Sequence, residues 1–149
     1  IDSLSRIGYN LVIESTLRTA EVPLKTAELL RQRGYGVSLA LMAVKPKISL
    51  VSCQIRYEEM RVAGTTPRAT DPAHHNKIID QIVSNLLEAS GMFDEIALYD
   101  RSQTCLFPRE GAGDSAEEAL RTILFGPWTS EERRHYNELK AKLEQLRRK

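Results

Sequence analysis

A carboxylate, three hydroxyls and a guanidinium fall within six consecutive positions in Glu14-Ser-Thr-Leu-Arg-Thr19. Glu14 can accept hydrogen bonds from sugar hydroxyls, while Thr16 and Arg18 can donate to phosphate oxygens. A strand-end turn with solvated polar side chains is the plainer alternative. A buried strand rarely ends on Glu without a partner for it, so spacing alone leaves both readings open. A second set is Arg56-Tyr-Glu-Glu59, followed by Arg61 and then by Arg68. Arginines on a helix and the loop after it are a common clamp for a transferring phosphoryl group. They are just as commonly surface partners for carboxylates such as Glu58 and Glu59, and on residue types alone that pairing is the simpler account.

Other candidates carry less. His74 and His75 are adjacent, so on a helix their rings point about 100° apart and do not share an ion; no Cys or further His stands at ligand spacing, and no metal site is expected. Gly111-Ala-Gly-Asp-Ser115 is glycine-rich and precedes a helix, but it lacks the lysine of a phosphate-cradling loop and reads as a surface loop with Ser115 as helix N-cap. No Gly-x-x-x-x-Gly-Lys-[Ser/Thr] motif occurs anywhere in the chain. Cys53 and Cys105 are too few for a disulfide framework and read as small apolar fillers, a usage that fits a reducing cytoplasm. With 21 basic against 20 acidic residues the net charge is +1, short of the excess that phosphate neutralisation on a nucleic acid requires. The longest apolar run, residues 37–44, is far below the roughly 18–20 needed to cross a membrane. No secretory pattern opens the chain, and its first residue is not methionine, so residue 1 is not expected to be the natural start.

The elements that must position these residues follow from periodicity and stop signals. One hundred and forty-nine residues, 42% hydrophobic and 28% charged, make one domain with a real core. Residues 1–7 read as the tail of a helix stopped by Gly8. Asn10-Leu-Val-Ile-Glu14 reads as a short buried strand, residues 22–33 as a helix with Pro23 in its first turn, and residues 37–44 as a strand covered on both sides. Pro46 opens a helix with Ile48, Val51, Ile55 and Val62 at helical spacing, broken at Ala63-Gly-Thr-Thr-Pro67. Asp71 caps the next, whose broad apolar face runs to Gly91. Residues 95–100 and 104–107 read as a third and a fourth strand joined by a short turn. A helix from about residue 116 follows, and Thr129-x-x-Glu132 spells a capping box for a terminal helix with a narrow seam of Tyr136, Leu139, Leu143 and Leu146. The alternation predicts an α/β fold with a mainly parallel sheet flanked by helices and a helical C-terminus, its ligands held beyond the carboxyl ends of the strands.

Several of these stretches occur together in one known family. Residues 8–19, Val22-Pro, Lys25-Thr-Ala-Glu-Leu-Leu30, Ile55-Arg-Tyr-Glu-Glu59, Arg68-Ala-Thr, His74-His75 and Leu124-Phe-Gly-x-Trp128, in this order, resemble the zeta-toxin family of bacterial toxin–antitoxin pairs. The resemblance implies part of a P-loop kinase fold and a cytoplasmic kinase. That kinase uses ATP and Mg2+ to phosphorylate the 3′-hydroxyl of UDP-N-acetylglucosamine, which blocks cell-wall precursor synthesis, and it is held by a cognate antitoxin. It further implies that Thr16, Arg18 and Thr26 contact the nucleotide sugar with Glu14 lining the same pocket. Arg56 and Arg68 contact the ATP phosphates and offset transition-state charge. Ser15 stands where the family usually has glycine. The family's P-loop lysine and its catalytic aspartate belong to a portion outside these residues. Residues 1–149 are therefore expected to be a single C-terminal, substrate-binding domain that transfers nothing alone. The alternatives are a non-catalytic remnant that binds an antitoxin, for which the 136–146 seam would suit a helical partner, or a related small-molecule phosphotransferase.

Overall fold

In the computed structural model, which describes residues 1–149, the chain runs α1 (Asp2–Arg6), α2 (Glu21–Gln32), β1 (Ser38–Met42), α3 (Pro46–Val62), α4 (Pro72–Ser90), β2 (Glu95–Tyr99), β3 (Cys105–Phe107), α5 (Ala116–Phe125) and α6 (Ser130–Arg147). Local chemistry sets most helix ends. Proline opens α3 and α4, where its missing N–H costs nothing. Asp71 Oδ1 accepts from the Ala73 N–H at 3.0 Å, and Ser115 Oγ from the Glu118 N–H at 3.3 Å. At α6 the capping box is complete: Thr129 Oγ1 accepts from the Glu132 N–H at 3.1 Å, and Glu132 Oε2 from the Thr129 N–H at 2.7 Å. No helix is long and apolar enough to cross a membrane.

The sheet has the order β1-β2-β3, with β1 parallel to β2 from Ser38↔Glu95 to Met42↔Tyr99 and β3 antiparallel to β2. This is the expected α/β architecture, a sheet flanked by helices and ending in a helical C-terminus, although the three strands make one parallel and one antiparallel pairing. Leu98 on β2, Leu86 on α4 and Leu120 on α5 are wholly buried at its centre, joined by Ile82, Val83, Ala119 and Leu124. A smaller cluster joins Val51 and Ile55 of α3 to Leu143 of α6, with Tyr136, Leu139 and Leu146 packed against it. The apolar seam of α6 is thus filled by α3, and it is not an open surface for a helical partner. Lys45, between β1 and α3, is buried at 2% exposure and donates from Nζ to the Gly126 carbonyl at 2.9 Å, tying the end of β1 to the approach to α6.

Two strand expectations need correction. Residues 10–14 form no strand: they lie in irregular structure, Val12 is 96% exposed and Glu14 is exposed. An apolar run becomes a strand only where another strand accepts its hydrogen bonds, and none lies beside it. The stretch 37–44 does contain β1, but only one face of it is covered. Ser38, Ala40 and Met42 are exposed while Leu39 and Leu41 pack against the core, the alternation of a half-buried strand.

The β2–β3 turn is built on Asp100. Its Oδ1 accepts from the Ser102 hydroxyl at 2.6 Å and from the N–H groups of Ser102 and Thr104 at 2.8 and 2.9 Å. The Ser102 hydroxyl above all, and then these N–H groups, outweigh partial desolvation and hold the carboxyl below its ordinary value of 3.8. A depressed carboxylate stabilises the fold above its unfolded value, and that contribution is lost as pH falls through the folded value. Amide protection in the 99–105 turn is therefore expected to be constant from pH 7 to pH 5 and to decline below about pH 4. Hydrogen exchange at stepped pH reads this directly, and protection that held unchanged to pH 2 would show that Asp100 does not organise the turn.

Candidate functional site

The segment 14–18 is held by a residue without chemistry of its own. Leu17 is 4% exposed and packs into the main cluster, which also holds Ala43, Ile82 and Leu86, although its φ of 50° lies in the left-handed region. For a leucine that conformation costs about 1 kcal/mol, and burial of the side chain compensates. Asn85 of α4 clamps the same point, its Nδ2 donating to the Leu17 and Arg18 carbonyls at 3.0 and 2.9 Å. With Leu17 turned inward, Glu14, Ser15, Thr16 and Arg18 all remain exposed around it.

Beside this loop lies a cavity of about 260 Å³ between residues 10–15, α2 and the start of β1. Ile13, Val22, Tyr35 and Leu39 give it apolar walls; Ser15 and Thr26 add hydroxyls. Thr26 Oγ1 donates to the Val22 carbonyl at 3.0 Å, which occupies its proton and leaves its lone pairs free to accept. Elsewhere on α2, Lys25 and Glu21 pair at 2.6 Å, holding the Glu21 carboxyl below and the Lys25 ammonium above their ordinary values.

Arg56 and Arg68 are exposed on α3 and on the loop after it. The surface pairing that the sequence suggested forms for Arg61 but not for Arg56 or Arg68. Glu58 pairs with Arg61 at 2.6 Å and Arg147 at 3.7 Å, and Glu59 with Lys142 at 2.7 Å. Both carboxylates are therefore occupied by other cations, two of them on α6. The Arg56 guanidinium reaches only Cys53 Sγ, at 4.0 Å, and Arg68 pairs with no carboxylate. The structure thus brings Ser15 and Thr26 to one cavity and Glu14, Thr16 and Arg18 to one loop, and it leaves Arg56 and Arg68, like Arg18, without a carboxylate partner. No hydrogen bond joins the arginines to the 14–18 loop. Leu17 and Asn85 escaped the sequence reading, and His75 entered it only as half of a rejected metal pair and as part of the family resemblance. Their residue types announce nothing, and only the fold shows what they hold.

The zeta toxin family profile matches residues 1–112, three-quarters of the chain. The chain belongs to the zeta-toxin family. Toxin PezT of Streptococcus pneumoniae is 42% identical over 136 residues, 89% of this chain and 54% of its own length. Toxin zeta of Streptococcus pyogenes is 41% identical over 111 residues, 72% of this chain and 38% of its own length. A solved structure from a study of the PezAT chromosomal toxin–antitoxin system of S. pneumoniae superposes with a TM-score of 0.83 at 38% identity, covering 97% of this chain and 58% of that one. The zeta-toxin chain thus spans about half the length of these relatives or less. Every candidate from Glu14 to Arg68 lies inside the zeta-toxin match, whereas α5 and α6 lie beyond it.

Proposed function

We propose that these residues form the acceptor-binding and arginine-bearing part of a toxin kinase. In this reading the enzyme transfers the γ-phosphoryl group of ATP to the 3′-hydroxyl of UDP-N-acetylglucosamine and so blocks cell-wall precursor synthesis in the bacterial cytoplasm. Residues 1–149 form one C-terminal domain, with the P-loop lysine and the catalytic aspartate supplied from outside it. The observation that carries the reading is the pair Arg56 and Arg68 in a zeta-toxin fold, both exposed and without carboxylate partners, with the two acids next to Arg56, Glu58 and Glu59, engaged by other cations. Unpaired guanidiniums on a rigid helix and its following loop suit the planar, bidentate contacts that phosphate oxygens offer.

In the transfer the acceptor oxygen bonds to the γ-phosphorus as the bond to the ADP oxygen breaks, and the hydroxyl proton leaves to the base outside this domain. Arg56 and Arg68 stabilise the charge on the phosphoryl oxygens. Glu14 accepts from sugar hydroxyls, Thr16 and Arg18 donate to the diphosphate, and Thr26 accepts at the cavity mouth. At about 260 Å³ the cavity is below the roughly 300–1,000 Å³ of a pocket for a whole ligand. One group of the sugar nucleotide enters it and the remainder lies over the exposed loop. Mg2+, when bound with ATP, supplies charge neutralisation between the phosphates. In this reading its protein ligands, like the P-loop lysine, belong outside this domain.

An antitoxin partner fits the toxin–antitoxin system named for the structural relative, and because α3 already covers the α6 seam that partner would bind another face. The acceptor assignment is tested by calorimetric titration of the full-length protein with UDP-N-acetylglucosamine. Removing one hydrogen bond to a charged group costs about 1.5–3 kcal/mol, so Thr16→Ala and Arg18→Ala should each weaken binding roughly 10- to 100-fold. ATP affinity should not move. Sugar-nucleotide affinity unchanged in both variants would reject this pocket.

A further inference from the structure

His75 is buried at 9% exposure, on the first turns of α4, and takes no part in the chemistry above. Its Nε2 lies 3.1 Å from Ser49 Oγ, a hydroxyl that can donate to or accept from the ring, and its Nδ1 lies 3.4 Å from Asn76 Oδ1. Ser49 stands in the first turns of α3, and Ser49, Cys53 and Arg56 share one stripe of that helix at four- and three-residue spacing. The bond from His75 to Ser49 therefore fastens the start of α4 to the face of α3 that carries Arg56.

This fastening has a geometric consequence for Arg68. At the end of α3 the chain turns back at Gly64, whose φ is +70°, and the Thr65 N–H and hydroxyl both reach the Met60 carbonyl at 3.0 Å. The return stretch thus begins level with Met60. It ends at Asp71, whose carbonyl accepts from the His75 N–H at 2.9 Å, close to where His75 meets Ser49. Ser49 to Met60 is about 16 Å of helix rise, and the backbone from Thr65 to Asp71 spans at most about 20 Å. The stretch must run back along α3 nearly extended, and it has no helix or strand of its own beyond Thr65. Arg68, midway along it, comes to about the height of Arg56 on the helix. The backbone positions that carry the two arginines are thereby brought to a similar height along α3, and neither arginine has a carboxylate partner.

We propose that His75 is a positioning residue. Its hydrogen bond to Ser49 fixes the register of the returning loop against α3, so that Arg68 stands beside Arg56 and both engage one polyphosphate. The proposal rests on the reading of the two arginines as phosphate ligands, and the test separates the two ideas. ATP binding to the full-length protein is measured by calorimetry for Arg68→Ala, Ser49→Ala, His75→Gln and the double variant Ser49→Ala/Arg68→Ala, with melting temperature as the folding control. Ser49→Ala keeps a good helix former in α3, so it serves even if larger changes at His75 fail to fold.

Loss of the single bond should weaken ATP binding about five- to tenfold, with UDP-N-acetylglucosamine affinity unchanged. His75→Gln, which keeps an acceptor, should recover most of the loss. In the Arg68→Ala background Ser49→Ala should cost nothing more, a coupling that mere destabilisation would not produce. If Arg68→Ala weakens ATP binding while Ser49→Ala does not, or if the two losses add, the positioning role of His75 is overturned and the arginine reading stands. If Arg68→Ala itself binds ATP as the parent does, the arginine reading fails first.

Discussion

Alanine at Arg56 or at Arg68 is expected to lower kcat for phosphoryl transfer by about 10³-fold or more while UDP-N-acetylglucosamine binds with its original affinity. The expectation follows from the environment of each side chain. Both are exposed and neither has a carboxylate partner, so their removal disturbs little of the fold, and a surface substitution of this kind moves stability by no more than about 0.5 kcal/mol. In the proposed function their value lies in the charge that develops on the transferring group, where a fixed guanidinium needs no reorganisation. Lysine at either position keeps the charge and loses the fork of donors, so Arg56→Lys and Arg68→Lys should recover only a small part of the rate. Arg61 is the matched control. It is held by Glu58 at 2.6 Å and by the Leu146 carbonyl at 3.1 Å, so Arg61→Ala should loosen the α3–α6 contact and leave kcat within a few-fold. Steady-state kinetics of the full-length protein, with both substrates varied, decide the matter. Wild-type turnover in Arg56→Ala and Arg68→Ala would reject the clamp, and an equal loss in Arg61→Ala would show that α3 integrity, not the guanidiniums, is being read.

What the chain discloses by itself is the part governed by near neighbours. Asp71 with Pro72, Ser115, and Thr129 with Glu132 announce helix starts because a cap is satisfied within a few residues. The parallel alternation of β1 and β2 follows from the helices between them. Contacts that close over long separations are not disclosed. Glu58 and Glu59 stand next to Arg56 and Arg61 in sequence, yet Arg147 and Lys142 of α6 share or take them, and that competition decides whether Arg56 is free. Residues 10–14 carry an apolar pattern that demands cover without saying what provides it, and with β1 paired only to β2 the run stays irregular and exposed. The polar cluster at 14–18 was visible as chemistry, whereas the device that presents it was not: leucine is the least informative residue type in that stretch.

That device makes Leu17 the position where a core substitution reaches furthest. Leu17→Ala removes a buried side chain from the main cluster and is expected to cost about 2–5 kcal/mol, a large share of the roughly 5–15 kcal/mol that holds a domain together. The left-handed φ of 50° remains unfavourable for alanine, so the burial that compensated for it is lost while the strain is kept. Leu17→Gly releases the strain but frees the loop, and it should be no more stable. Asn85→Ala acts on the same point from the other side. It leaves the Leu17 and Arg18 carbonyls without their donor, at about 1 kcal/mol each, with the core intact. Urea unfolding and sugar-nucleotide titration of the full-length protein together distinguish these effects. Leu17→Ala should lower the unfolding midpoint sharply and weaken binding, whereas Asn85→Ala should weaken binding for a smaller loss of stability, because the backbone beneath Thr16 and Arg18 is no longer held. A Leu17→Ala protein within about 0.5 kcal/mol of the parent would mean that the loop collapses onto the vacated space, and that the presentation of Thr16 and Arg18 does not depend on this anchor.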